Sequence, residues 1–281
     1  MSDPVSVTRN GHRTFFKWHR ARRRASDPVF TGRRILEGMA LGASVEVDLV
    51  IHADNGFAVL HNHDSLDRET TGSGPARALG AAEMRALHLR GNDGQPIGDH
   101  VMLLEDLCAL LRQTPPVPSA LLQLDFKENQ GPLDAATIAA FNAAVTPVAA
   151  NMILSSGEAD SVQALAAGTP GLRIGHDPCH KGALERLAVS RDFAGFVATA
   201  VADAPAAEMI YLAYPMVLAA DAAGYDIIAA FHAAHRRVDA YTIKRADAET
   251  LPVVRRLLAL QVDQITTDDA EGLAALIEAN P

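Results

Sequence analysis

Glu46-Val47-Asp48 places two carboxylates two positions apart in a run, 44–49, that otherwise reads as an apolar strand. Alternate residues of a strand share a face, so both acids point the same way. Burying two carboxylates side by side is costly unless a cation lies between them. All-oxygen ligands of this kind suit magnesium, calcium or manganese. The plainer reading pairs one acid in a salt bridge and turns the other to solvent. A second segment, Phe57-Ala58-Val59-Leu60-His61-Asn62-His63-Asp64, ends an apolar run in two imidazoles, groups that give or take a proton near neutrality. A third, Asp125-Phe126-Lys127, adds a carboxylate and an ammonium on one face, a pairing suited to a metal beside a phosphate oxygen. Its plainer reading is an internal ion pair. A fourth, His19-Arg20, closes the apolar run 14–18; His12 is a competing candidate, but no such run leads into it.

These residues need elements to position them. Short apolar runs at 14–18, 44–49, 120–126, 152–155, 172–175, 209–213, 238–243 and 264–267 read as strands. Between them, helical patterns are expected at 33–41, 135–144, 160–167, 181–188, 218–223, 227–235, 248–260 and 271–279. Alternating β and α units imply a parallel sheet with helical crossovers. Eight strands predict a closed (β/α)8 TIM barrel, which places His19, the Glu46–Asp48 pair and Asp125 toward the C-terminal ends of its strands, with His61 on a short run beyond the second. One region breaks the rhythm. After the turn Asp54-Asn55-Gly56 and a short strand, Gly-rich stretches at 69–75 and 91–98 mark an insertion after the second barrel strand, about 62–104, within one domain spanning 1–281. Long loops in compact domains tend to be functional.

Size and charge narrow the class. The 281 residues suit one barrel of this type, which takes about 250. A formal charge of −9 argues against broad nucleic-acid binding. The basic run from His19 to Arg24 is read either as a solvated loop or as a local attractor for an anionic substrate. No apolar run approaches the roughly 20 residues that span a bilayer, and residues 1–13 hold no signal-like apolar stretch. Cys108 and Cys179 lack metal-ligand spacing and fit lone thiols. A cytoplasmic protein is therefore expected.

Taken in order, these segments resemble the glycerophosphodiester phosphodiesterase family. That family carries a His-Arg-Gly start, a Glu-x-Asp strand, a second histidine in a His-Asp pair, a Glu-x-Lys strand and a late Trp-Thr-Val-Asn strand. This chain has His19-Arg20, Glu46-Val47-Asp48, His61-Asn62, Asp125-Phe126-Lys127 and Tyr241-Thr242-Ile243-Lys244. Val262-Asp263-Gln264-Ile265-Thr266-Thr267-Asp268 resembles the closing strand, and Leu66-Asp67-Arg68-Glu69-Thr70-Thr71-Gly72-Ser73-Gly74 the segment after the second histidine. Glu46 follows His19 by 27 residues and His61 follows Asp48 by 13, as in the family. The resemblance implies Glu46, Asp48 and Asp125 as ligands to one divalent metal ion, magnesium or calcium, with manganese a further choice. It implies His19 and His61 as the acid–base pair, and Arg20, Lys127 and Tyr241 as substrate contacts. His63 stays an alternative to His61, which is preferred for its spacing from Asp48. The expected partner is a small-molecule phosphodiester, and the oligomeric state is open, a homodimer included.

The departures are informative. His19-Arg20-Ala21 replaces His-Arg-Gly, and Pro28-Val29-Phe30-Thr31 stands where the family has Pro-Glu-Asn-Thr. Asp125 is shorter than the usual glutamate, Asn62 replaces aspartate, and Tyr241 replaces tryptophan. Three rival readings follow. His61-Asn62-His63 is the His-x-His of an amidohydrolase-type site, but the pair sits on the wrong strand. Lyase-type relatives would release a cyclic phosphate, while Thr266-Thr267-Asp268 favours hydrolysis. A barrel whose site has decayed to phosphodiester binding is set against three acids and two histidines still in place.

Overall fold

The computed structural model describes residues 3–128 and 133–280. Among these described residues are twelve strands: β1 (Ser6–Arg9), β2 (His12–Trp18), β3 (Ser44–Ile51), β4 (Phe57–Val59), β5 (His88–Arg90), β6 (Pro96–His100), β7 (Leu121–Phe126), β8 (Met152–Ser155), β9 (Arg173–His176), β10 (Met209–Ala213), β11 (Arg237–Ile243) and β12 (Gln264–Thr267). β2, β3 and β7 to β12 pair in parallel, and the sheet closes through β12–β2 and β2–β3. All eight strands expected from the sequence are these eight, so the closed (β/α)8 barrel stands.

Strand parity sorts the side chains into two populations. The outward residues of β3, Val45, Val47 and Leu49, join Phe16, Trp18, Leu122, Leu124 and Ile210 in the apolar layer under the helices. Helix Gly32–Leu41 packs so closely there that a Cβ on Gly38 would lie 2.5 Å from Val45 Cγ2. Four helices start on an aspartate, Asp134, Asp192, Asp226 and Asp269, whose carboxylate accepts the backbone N–H three residues on at 2.7–2.9 Å; such caps contribute about 1 kcal/mol each.

The inner face is different. Leu121, Ile153, Met209 and Tyr211 form a small apolar cluster, and Lys17, Gln123, Asp239, Gln264 and Thr266 are buried polar residues. Asp239 accepts from Gln264 Nε2 and Thr266 Oγ1, both at 2.6 Å, and pairs with Lys17 Nζ at 3.2 Å. Lys17 also donates to Gln123 Oε1 and lies 4.3 Å from the centroid of the Tyr211 ring. Gln123 Nε2 donates to Ser155 Oγ at 2.8 Å, and Ser155 Oγ donates to Asp125 Oδ1 at 2.7 Å. An ion pair followed by hydrogen bonds thus links Asp239 to a predicted metal ligand.

Several elements depart from expectation. The expected short strand after the turn at 54–56 is β4, antiparallel to β3, whereas the separate β5–β6 hairpin was not predicted. Helices Leu104–Gln113 and Phe193–Asp203 were not predicted. The second mixes glycine and β-branched residues, which mask its period, and is fixed by its Asp192 cap. The helix expected from 181 begins at Ala183, because Gly182 turns left-handed at φ 72°. β1, also unpredicted, pairs antiparallel with the first half of β2.

Candidate active site

Glu46 and Asp48 project from one face of β3, and Asp125 is the register partner of Asp48 on β7. One oxygen from each of the three meets the others within 4.8 Å, the one such grouping among the described residues. Both Asp48 oxygens are buried without a hydrogen bond; Lys127 Nζ lies 2.9 Å from Oδ1 and Arg20 Nε 3.3 Å from Oδ2. Lys127 also pairs with Asp125 Oδ2. After β2 the chain turns left-handed at Arg20 (φ 53°) and Ala21 (φ 59°), which aims the Arg20 N–H at Glu46 Oε2, 2.7 Å away.

Charge is distributed unevenly over the three acids. Burial, with the Asp48 charge adding to it, pushes Glu46 well above the ordinary carboxylate range. Burial would raise Asp48 too, but the Lys127 ammonium and the Arg20 guanidinium outweigh it and hold Asp48 far below that range. Lys127 would be lowered by burial, yet Asp125, Asp48 and Glu46 keep it well above its usual value. Three convergent oxygens, one reluctant to ionise and one lacking hydrogen bonds, fit a hard divalent cation. Removing that repulsion is what such an ion does.

A cavity of about 220 Å³ opens over these groups at the C-terminal end of the barrel. His19, Arg20, Glu46, His61, Asp125, Lys127 and Tyr241 line it, and Asp48 lies behind. His63 is not on its wall and faces Asp64 at 3.1 Å. The His-x-His pair of the amidohydrolase reading is therefore split. His12 lies at the opposite end of β2, its Nε2 3.2 Å from the Val262 carbonyl. His19 Nδ1 is 2.6 Å from Asp268 Oδ1, which also accepts from Arg22. Burial lowers the His19 pKa, opposed by Asp268; burial likewise lowers His61. Tyr241 Oη donates to Asp177 Oδ1 at 3.2 Å.

Residues 35–271 match the Glycerophosphoryl diester phosphodiesterase family. The chain belongs to that family. Its fold is shared with solved structures named for the same activity. A putative glycerophosphoryl diester phosphodiesterase from Agrobacterium tumefaciens aligns with a TM-score of 0.71 at 21% identity, covering 95% of this chain and 98% of that one. One from Silicibacter pomeroyi gives 0.69 at 21%, covering 95% and 94%. A phosphodiesterase from Oleispira antarctica, in complex with the product sn-glycerol-3-phosphate, gives 0.61 at 19%, covering 94% and 96%. No curated protein matches the sequence. The chain is accordingly a phosphodiesterase of the glycerophosphodiester class.

Membership gives the departures a physical meaning. Ala21 occupies the family's glycine position and holds a positive φ that favours glycine. Phe30, where the family has asparagine, is also left-handed at φ 59°, and its N–H donates to the Arg20 carbonyl at 3.0 Å. Asp125 is short, and Ser155 holds one of its oxygens while the other turns toward Lys127. Three positions were given no site role by the sequence. Asp268 follows the recognised closing strand, and Glu69 lies in the segment resembling the family. Glu69 Oε2 accepts the N–H groups of both His61 and Asn62 at 3.0 Å, and Oε1 lies 3.7 Å from Arg20. Ser155 carried no signal. Both cysteines are free thiols, and burial pushes each up to about 12. Among the described residues, no single helix is long and apolar enough to cross a membrane.

Proposed function

We propose that the chain hydrolyses glycerophosphodiesters to glycerol 3-phosphate and an alcohol, with Glu46, Asp48 and Asp125 holding one divalent ion and His19 and His61 as the acid–base pair. The observation that carries this reading is the meeting of three carboxylates within 4.8 Å beneath a cavity lined by both histidines. The presence of sn-glycerol-3-phosphate on the Oleispira antarctica barrel supports the same product here. Magnesium, calcium or manganese bound there supplies Lewis-acid polarisation of a phosphate oxygen.

The protein groups do the rest. Asp268 fixes His19 through Nδ1 and leaves Nε2 to take a proton from the attacking nucleophile. His61 delivers a proton to the departing alkoxide, its backbone anchored by Glu69. Arg20 and Lys127, held in place by Asp48, Glu69 and Asp125, bind non-bridging phosphate oxygens. Tyr241 contacts the alcohol side. Residues 62–104 act as an insertion within one catalytic domain, and through Glu69 they position His61.

The test is replacement of His19 and His61 singly by alanine, assayed on glycerophosphocholine with magnesium or calcium. Loss of an acid–base group costs roughly 10²–10⁴ in rate, so each variant is expected to lose at least about 100-fold in kcat. Near-normal turnover in either would overturn its assignment. Phosphorus NMR of the product separates glycerol 3-phosphate from a cyclic phosphate.

A further inference from the structure

A second cavity, of about 390 Å³, adjoins the first, with Asp177 and His180 in the walls of both. It is built from the loops after β8 and β9 and from helices Ala183–Ser190 and Phe193–Asp203. His176, on its wall, is 4% exposed, and neither ring nitrogen has a hydrogen-bond partner among the described residues. A buried polar group left unpaired costs about 1–3 kcal/mol, and a neutral imidazole offers one donor and one acceptor. Among the described residues no group takes up that capacity.

The charges around the cavity have a sign. Glu158 pairs with Lys181 at 2.6 Å and Asp177 lies 3.0 Å from His180, so both of these acids have partners. Asp160 and Asp203 line the cavity without an ion-pair partner among the described residues, and the remaining cation is Arg186, which donates to the Lys181 carbonyl. The first cavity presents Arg20 and Lys127 to a phosphate; the second offers surplus carboxylate and an unpaired imidazole.

We infer that the second cavity is the subsite for the alcohol portion of the diester, and that it selects an alcohol bearing an ammonium group. The inference rests on the phosphodiesterase reading above. Asp203 and Asp160 supply the counter-charge, and His176 accepts a hydrogen bond from the ammonium.

The experiment compares kcat/KM for glycerophosphoethanolamine with that for glycerophosphoglycerol, whose head group is neutral, in the unaltered chain and in Asp203→Asn, Asp160→Asn and His176→Leu. The ammonium substrate is expected to be preferred in the unaltered chain. The preference should fall about 1.5- to fivefold with each exposed carboxylate removed, the range of a solvent-screened charge pair. His176→Leu should raise KM for the ammonium substrate with no loss of melting temperature, since no hydrogen bond within the fold is broken. A purely structural histidine would give the reverse. Equal efficiency on both diesters, or a preference indifferent to all three variants, overturns the subsite alone. Turnover of neither diester overturns the functional reading and the subsite with it.

Discussion

Lys17→Met tests the polar interior of the barrel. Lys17 and Asp239 are 3% and 0% exposed, and their charges lie 3.2 Å apart. Methionine matches the lysine stem in length, so little packing is lost. What changes is that Asp239 keeps its hydrogen bonds from Gln264 and Thr266 but loses its cation, and Gln123 Oε1 loses its donor. Removing one partner of a buried ion pair typically costs about 3–5 kcal/mol. At roughly 2 °C per kcal/mol for a domain of this size, the melting temperature should fall by about 6–10 °C, read by circular dichroism or calorimetry. The companion Lys17→Met/Asp239→Asn removes the stranded charge, keeps one acceptor, and should recover part of the loss, a coupling of about 0.5–3 kcal/mol. A loss under about 1 kcal/mol in the single variant, or a double variant no better than the sum of the singles, would refute the reasoning.

Two further perturbations address the rim. Ala21→Gly removes a buried methyl but relieves a left-handed residue, worth roughly 1–2 kcal/mol; it should melt at the same temperature or a little higher, whereas a drop of several degrees would contradict the strain. Asp268→Asn removes the charge that raises His19 against the lowering effect of burial. The His19 pKa then falls further. Because the base acts unprotonated, the acid limb of the kcat/KM profile should move to lower pH while the plateau drops, by analogy with other oriented histidines, about 100-fold or more. A limb moving to higher pH would exclude His19 as that base.

The eight barrel strands were legible because each is a short apolar run between helical stretches, and the motif residues at their ends stood out as charges in apolar context. Period two put Glu46 and Asp48 on one face, whereas Asp125 stood out as a carboxylate at the end of another apolar run and joined the pair through the resemblance. Spacing from Asp48 favoured His61 over His63 although both share the strand's parity, and the structure adds that His61 lines the cavity, its N–H held by Glu69, while His63 does not line it. Lys17 sat in view between Phe16 and Trp18, but its partner Asp239 lies far along the chain. Pairings across a closed barrel leave no local trace. Ser155 escaped for the same reason: its meaning is its hydrogen bond to Asp125 on the neighbouring strand.

Manganese binding, followed by electron paramagnetic resonance in the intact chain and in Asp48→Asn, goes to the centre of the account. One ion per chain should bind the unaltered protein, and Asp48→Asn, which preserves shape but removes a buried ligand charge, should weaken that binding at least about 100-fold, beyond what loss of a supporting contact costs. Equal affinity in the two proteins would mean that the three carboxylates do not form the ion's site.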